Sequence, residues 1–433
     1  LINLSKLSGV KTTFSGALKF VLPIFLLLIL VEMIAAKLRN KQVFNSMDTV
    51  SSLSSGLTNI LFKILKLTVY IFGYEFLLKH FTLFPVEWDV LKYIIGFLAI
   101  DFYVYWWHRW RHEYNILWNE HLIHHSSEEY NLPVALRQTL ADFINPASFL
   151  LLPAAIFGVP MEVITVLGVV MLFGGFWYHT QLIDKMGPLE YVLVTPSHHR
   201  IHHAINPVYI DKNYGGILII WDKIFGTFQQ ELSHEKPVYG LTRPVHTYNP
   251  IKINFQHLTL LIKDAWRASN IWDKFRIWFM PTGWRPADVV EQFPILSVKD
   301  AREQVKYQPT ANIYLKIWAW IQLILTFLLM QFMIFQLKVF SKTDILVYAA
   351  FIFLSVYSYT SLMDKSRHAW IFEILRLCYA IFIIRFYNGW FTVDSFLPYG
   401  TSILTAYFVL SVLFSLAFEY FYFKPSNLQA TNV

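Results

Sequence analysis

Ten of the fifteen histidines fall in the 96 residues from His108 to His203, where an even spread would put about three. Their spacing is ordered. His108 and His112 stand at i and i+4. His121, His124 and His125 stand at i, i+3 and i+4, and His199, His202 and His203 repeat that pattern. On a helix these spacings put side chains on one face, one turn apart. His179 follows Phe176-Trp177-Tyr178 at the end of an apolar run, and His198 directly precedes the third cluster. Neutral imidazole is the commonest protein metal ligand, and one metal takes about four to six ligands. Eight or nine gathered histidines exceed the needs of one ion and suit two. Water or lipid headgroups satisfy a lone histidine, and His80, His234, His246, His257 and His368 are read that way.

A ligand set of nitrogen suits Zn, Fe, Cu or Ni rather than Mg or Ca. The zinc-protease pattern HExxH is absent, because His112-Glu113 is followed by Tyr114, Asn115 and Ile116. The lone cysteine, Cys378, excludes an intrachain disulfide and a cysteine-based metal site. The membrane implied below supplies lipids, whose chains offer mostly unactivated C–H bonds. Attack on these needs a redox metal and O2, which zinc does not provide. Two irons fit that chemistry, although spacing alone does not separate Fe from Zn.

These clusters have to be carried by greasy elements. The chain is 55% hydrophobic and only 15% charged, against about 25% charged in a soluble domain. Its basic residues flank apolar runs, which suits a membrane surface and not nucleic acid. Runs long enough to span a bilayer are expected at about 15–36, 53–78 and 92–110. The run 147–178 is expected as a pair joined at Gly158-Val159-Pro160, either a tight hairpin or a re-entrant pair. Four more spans are expected at about 311–336, 343–362, 369–387 and 400–422. The first run shows no cleavable signal pattern. Lys37, Arg39 and Lys41 place the loop after the first span in the cytoplasm, although Lys338 and Lys342 then fall on the opposite side. Counting onward puts every histidine cluster on the cytoplasmic face. The expected fold is all-α: a polytopic integral membrane protein whose domain 1–310 has a helical cytosolic cap (180–310) over the histidine site. Transmembrane helices follow over 311–433.

The runs HRWRH, HLIHH and HHRIHH resemble the histidine boxes of the membrane fatty acid hydroxylase and sterol desaturase superfamily. The longer stretches HHSSEEYNLPVALRQ and TPSHHRIHHAINPVYIDKNYGGILIIWDKIFGTF are similar to its alkylglycerol monooxygenase branch and bacterial relatives. The resemblance covers about Asp101 to Tyr239. It implies a di-iron oxygenase with a lipid substrate, with His108, His112, His121, His124, His125, His199, His202 and His203 as ligands and His179 as a further one. His198 is either a ligand or a donor to one. It also implies Glu113 as a partner of a ligand and tetrahydrobiopterin as electron source; no separate pterin signature stands in the sequence.

Metal-bound histidines usually give their other N–H to a carboxylate or carbonyl. Asp101, Glu128, Glu129 and Asp222 are candidates for that role, and headgroup-facing or capping charge is the alternative for each. Glu128 or Glu129 and Asn131 are expected to orient the second triplet or its water. Asp101 lies inside GFLAIDFYVYWW, where an acid is costly unless it faces the bundle interior. Arg137 and Gln138 either continue a helix from His121, against which Pro133 argues, or fold back toward a lipid head. Asn213–Gly216 reads as a turn or a substrate gate. Residues 255–280 read as an amphipathic helix on the membrane surface or as a core helix of the cap. Rival functions are a sterol or fatty acyl hydroxylase or desaturase, a membrane cytochrome, and a histidine-rich metal transporter. Clustered triplets speak against haem ligation, and ligands at the ends of spans speak against transport.

Overall fold

The computed structural model describes residues 14–65, 67–70 and 73–422, which are mostly helical. Long apolar runs must pair their own backbone groups, and a helix does so within one segment. α1 (Phe14–Leu38) takes up the first expected span. The second, 53–78, does not form as one helix. α2 (Ser46–Ile64) stops early, and β1 (Val69–Tyr70) and the short α3 (Tyr74–Phe81) follow. α2 is polar, with Ser51, Ser52, Ser54, Ser55 and Thr58 all buried. Beyond it β1 pairs in parallel with β2 (Ile144–Asn145), Val69 opposite Ile144.

α4 (Asp89–Glu113) covers the third expected span and runs on, so His108 and His112 sit on its last turns. Two single turns come next, α5 (Asn115–Trp118) and α6 (Leu122–His125). A helix continuing from His121 to Gln138 is therefore not what forms. Pro133 lies in a separate 3-10 turn, Leu132–Leu136, as its missing N–H requires. The run 147–178 gives α7 (Leu152–Ile156), a turn at Gly158 with φ +65°, and α8 (Met161–Trp177). The 17 residues of α8 reach about 25 Å, short of the roughly 30 Å hydrocarbon core. Its inner face packs on α4 through Val163 and Leu167 against Ala99 and Ile100.

α9 (Pro196–His202) carries the third histidine cluster and α10 (Ile220–Ile224) follows it. The amphipathic stretch 255–280 is split between α11 (Pro250–Arg267) and α12 (Ile271–Arg276), with the Asn270 side chain accepting from the Trp272 N–H to start the second. One face buries Leu261, Ala265 and Ile277, while Trp266, Trp272, Phe275 and Phe279 stay exposed. After α13 (Ala287–Gln292) come α14 (Ile313–Gln336), α15 (Lys342–Met363), α16 (Ala369–Phe386) and α17 (Gly400–Tyr422). Among the described residues four helices are long and apolar enough to cross a membrane: α4, α14, α15 and α17.

The chain forms two compact units. One contains the described residues up to Ser52, Phe62–Val245 and Ile253–Lys306, and holds all ten clustered histidines. The other begins its main body at Tyr307 and also takes Leu53–Leu61 and His246–Lys252. Within it α16 carries a fully buried pair, Glu373 and Arg376, 2.7 Å apart. Arg376 also donates to Gln322 of α14 and Ser411 of α17.

Asp101 shows how the first unit is fastened. It is fully buried and accepts from the N–H groups of Ile217 (2.7 Å) and Leu218 (3.1 Å) and from Trp221 Nε1 (2.9 Å). Each donor left unpaired would cost about 1–3 kcal/mol. Asp101→Leu should therefore lower the thermal midpoint of the detergent-solubilised protein by several degrees. Asp101→Asn, which keeps an acceptor oxygen, should recover part of the loss. A thermal-unfolding comparison checks this; equal midpoints for Asp101→Leu and the parent would contradict it.

Candidate metal centre

α4 brings His108 and His112, and short helical turns and their ends bring the rest. The histidines sort into two groups. His108, His112, His121, His125 and His202 form one; His124, His179, His199 and His203 form the other. Within each group the ligand-capable nitrogens lie within 4.8 Å of one another. Consecutive residues are thus divided: His124 goes to one group and His125 to the other, and His202 and His203 divide likewise. A one-turn α6 and a short α9 can do this because neighbouring side chains on a helix diverge by about 100°.

Hydrogen bonds fix which nitrogen is free. His108 Nδ1 donates to the Tyr214 carbonyl (2.9 Å), His124 Nδ1 to the Arg137 carbonyl (3.1 Å) and His202 Nδ1 to the Lys212 carbonyl (2.7 Å). A carbonyl only accepts, so in these neutral rings Nε2 carries a bare lone pair. His112 Nδ1 faces Asp211 at 3.3 Å. The Nε2 atoms of His112, His125 and His202 are buried without a hydrogen-bond partner. His124, His179, His199 and His203 make a run of Nε2–Nε2 contacts at 3.2, 3.1 and 3.2 Å. These cannot all be hydrogen bonds, because the single N–H of His179 would have to serve both His124 and His199. A cation in each group satisfies every one of these lone pairs, so the residues fit a metal pair.

Burial disfavours the charged form of most of these rings. Burial, then neighbouring histidines, push the pKa of His121, His125 and His203 well below the ordinary imidazole value. His179, His199 and His202 shift the same way. Burial lowers His124 to about 4. Aromatic rings close the site: Tyr214 lies 5.2 Å from His112, Tyr178 lies 4.2 Å from His199, and Tyr130 lies 5.2 Å from His203. A cavity of about 520 Å³ reaches the first group at His112, His125 and His202 and the second at His203. Its wall is largely apolar, with Trp118, Leu122, Ile210 and Leu260.

Several expected residues lie elsewhere. His198 stands outside both groups, with its ring against Phe228 and its carbonyl accepting from Asn213. Glu113 is tied to Arg109 at 2.7 Å and Glu129 to Lys306 at 2.8 Å. Glu128 lies against Gly240. Asn131 donates to the Val43 carbonyl at 2.6 Å. Asp222 accepts from the N–H groups of Tyr214 and Gly215, so it holds the loop whose Tyr214 carbonyl orients His108. Residues 213–216 are accordingly a loop segment pinned by Asp222. Arg137 does not reach toward a lipid head: it is buried on Asp48 (2.6 Å), Ser52 (2.9 Å) and Ser126 (2.9 Å). That clamp sets the carbonyl that His124 uses. Asp211, missed by sequence reasoning, is the one acid that meets a clustered histidine among the described residues; the turn formers Asp211 and Asn213, both at positive φ, were its available signal.

His202→Ala and His124→Ala should each abolish activity and lower bound metal, whereas His198→Gln and His368→Ala should keep full metal content. Asp211→Asn should cost about 10–100-fold in activity or metal affinity, the usual effect of losing a ligand's orienting partner. Elemental analysis beside an activity assay reads both; full metal in His202→Ala would remove it from the first group.

Comparison with known proteins agrees with the geometry. The family profile described as fatty acid hydroxylase matches residues 93–227, which contain all ten clustered histidines. The alkylglycerol monooxygenase of Homo sapiens is 37% identical over 374 residues, covering 84% of this chain and 81% of the relative. That of Xenopus tropicalis is 33% identical, covering 84% and 80%. The ornithine lipid hydroxylase OlsE of Rhizobium tropici is 29% identical over 38% of this chain and 50% of its own length. No solved structure matches. With relatives this similar over four-fifths of their length, the chain belongs to the fatty acid hydroxylase family, in its alkylglycerol monooxygenase group.

Proposed function

We propose that the protein is an O2-dependent monooxygenase that cleaves alkylglycerol ethers. The observation that carries this reading is the pair of all-histidine groups opening on one amphipathic cavity, taken with relatives that are alkylglycerol monooxygenases. Each histidine group would hold one iron, and the pair would supply redox chemistry that zinc lacks.

The chain's own residues do the positioning. Carbonyls of Tyr214, Arg137 and Lys212 hold three imidazoles with Nε2 free. Tyr130, Tyr178 and Tyr214 keep bulk water from the histidines, which protects a reactive site from side reactions. The apolar wall of Leu122, Ile210 and Leu260 lays the alkyl chain so that the carbon beside the ether oxygen lies at the histidine end. One oxygen atom of O2 enters that C–H bond as hydroxyl; the other leaves as water, with two electrons and two protons from an external reductant. The hemiacetal then separates into a fatty aldehyde and a glycerol derivative. A tetrahydropterin is the proposed reductant, on resemblance to the family.

Solubilised, iron-loaded protein given a 1-O-alkylglycerol, O2 and tetrahydrobiopterin should release fatty aldehyde, read by mass spectrometry. Hydroxylated sterol or acyl chain from the same preparation, without aldehyde from the ether, would place the protein with the sterol and fatty acyl hydroxylases of the superfamily.

With 53–78 not forming one span, the count from the first helix does not orient the site; Arg109 and Arg111 at the histidine end of α4 are the basis for proposing that it lies on the cytoplasmic side. Ser126 is buried and unsuited to labelling, but Ser233 is exposed. In a Cys378→Ser background, Ser233→Cys should resist an impermeant thiol reagent in sealed right-side-out vesicles and react after permeabilisation. Rapid labelling of sealed vesicles would reverse the orientation.

A further inference from the structure

The cavity that reaches the histidines has two arginines in its wall, and they differ. The guanidinium of Arg285 is occupied: Nε donates to Asp264 Oδ2 at 2.5 Å, Nη2 to Asp264 Oδ1 at 3.0 Å and Nη1 to the Phe293 carbonyl at 3.0 Å. The acid in the wall, Asp211, is turned to His112. Arg243 has neither an ion pair nor a side-chain hydrogen bond among the described residues, although it is partly buried. Burial and the charge of Arg285 both push its pKa down, with only Asp264 opposing. A partly buried cation without an acid is costly. An anionic oxygen arriving in the cavity would remove that cost and could take two parallel N–H bonds from the planar fork.

The remaining wall defines what carries that anion. Leu122, Leu241, Leu260, Val290 and Ile295 offer a surface for an alkyl chain, so a small inorganic ion would leave most of the cavity unused. We propose that Arg243 reads the head group of the lipid substrate and takes an anionic oxygen of the phosphate-ester class, while the alkyl chain lies along the apolar wall. This rests on the reading of the cavity as the lipid site; it adds that the preferred ether lipid bears a phosphate on its glycerol. Arg243 is a specificity residue in this account, and the histidines do not depend on it.

Binding without turnover tests it. Metal-loaded protein kept free of O2 and reductant is titrated with 1-O-alkylglycerol 3-phosphate, the neutral 1-O-alkylglycerol and inorganic phosphate, following the fluorescence of Trp118 and Trp284, which line the cavity. The phosphate-bearing ether should bind about tenfold or more tightly than the neutral one, the scale of a charge-assisted hydrogen bond. Arg243→Gln should erase that preference and leave the neutral ether within about threefold, and Arg243→Lys should keep part of it by retaining the charge. Unchanged metal content in both variants shows that they are folded. Equal weakening of both ethers in Arg243→Gln, or no change in either, would overturn the assignment. Inorganic phosphate binding as tightly as the lipid would overturn the head-group role. Failure of the ether-cleavage reading is separate: it appears as no aldehyde on adding O2 and reductant, whatever the binding pattern.

Discussion

Bare imidazole lone pairs, aimed at one another inside the protein, are the constraint on which the rest of this unit depends. Opposed acceptors repel, and burial removes the water that would separate them. The polypeptide holds them together by fixing the far side of the ring. Nδ1 of His108, His124 and His202 is committed to a main-chain carbonyl, so Nε2 has no proton to offer. A positive ion in each group turns this repulsion into binding, and folding and metal loading are then linked.

The carbonyls need holding in turn, and buried charged side chains do it. Asp222 fixes the Tyr214 loop, Asp101 ties α4 to Ile217 and Leu218, and Asp48 clamps Arg137. None of these acids touches a clustered histidine. Each satisfies backbone or guanidinium donors that would otherwise be buried unpaired, and passes its effect on through the chain. The acid that does face a histidine, Asp211, stands at the cavity wall beside the first group. The second group has all four histidines buried and touches the cavity through His203. The two groups therefore differ in access to whatever enters the cavity.

What the sequence made legible follows from periodicity and composition. The spans at α4, α14, α15 and α17 are legible because long apolar runs have one good solution in a bilayer, whereas the run 369–387 forms a helix, α16, that Glu373, Arg376 and Arg385 make too charged to join them. The run 53–78 misled because average hydrophobicity hides the serines of α2, which are buried in protein. The histidine clusters were legible as clusters, but spacing could not tell that His124 and His125 part company. It also could not exclude His198, since adjacency on the chain says little about which side of a short helix a ring leaves. Acids are the residue types that mark themselves as histidine partners, whereas carbonyls of Arg137, Lys212 and Tyr214 fill most of that role. Every residue has a carbonyl, so no residue type marks one that does.

The central claim is that the two histidine groups each hold an iron. Metal analysis with Mössbauer spectroscopy on anaerobically purified, active protein tests it most directly. The account predicts two irons per chain in two distinguishable nitrogen-rich environments, one for the five-histidine group and one for the four-histidine group. Full activity with one iron per chain, or with zinc in place of iron, would contradict it.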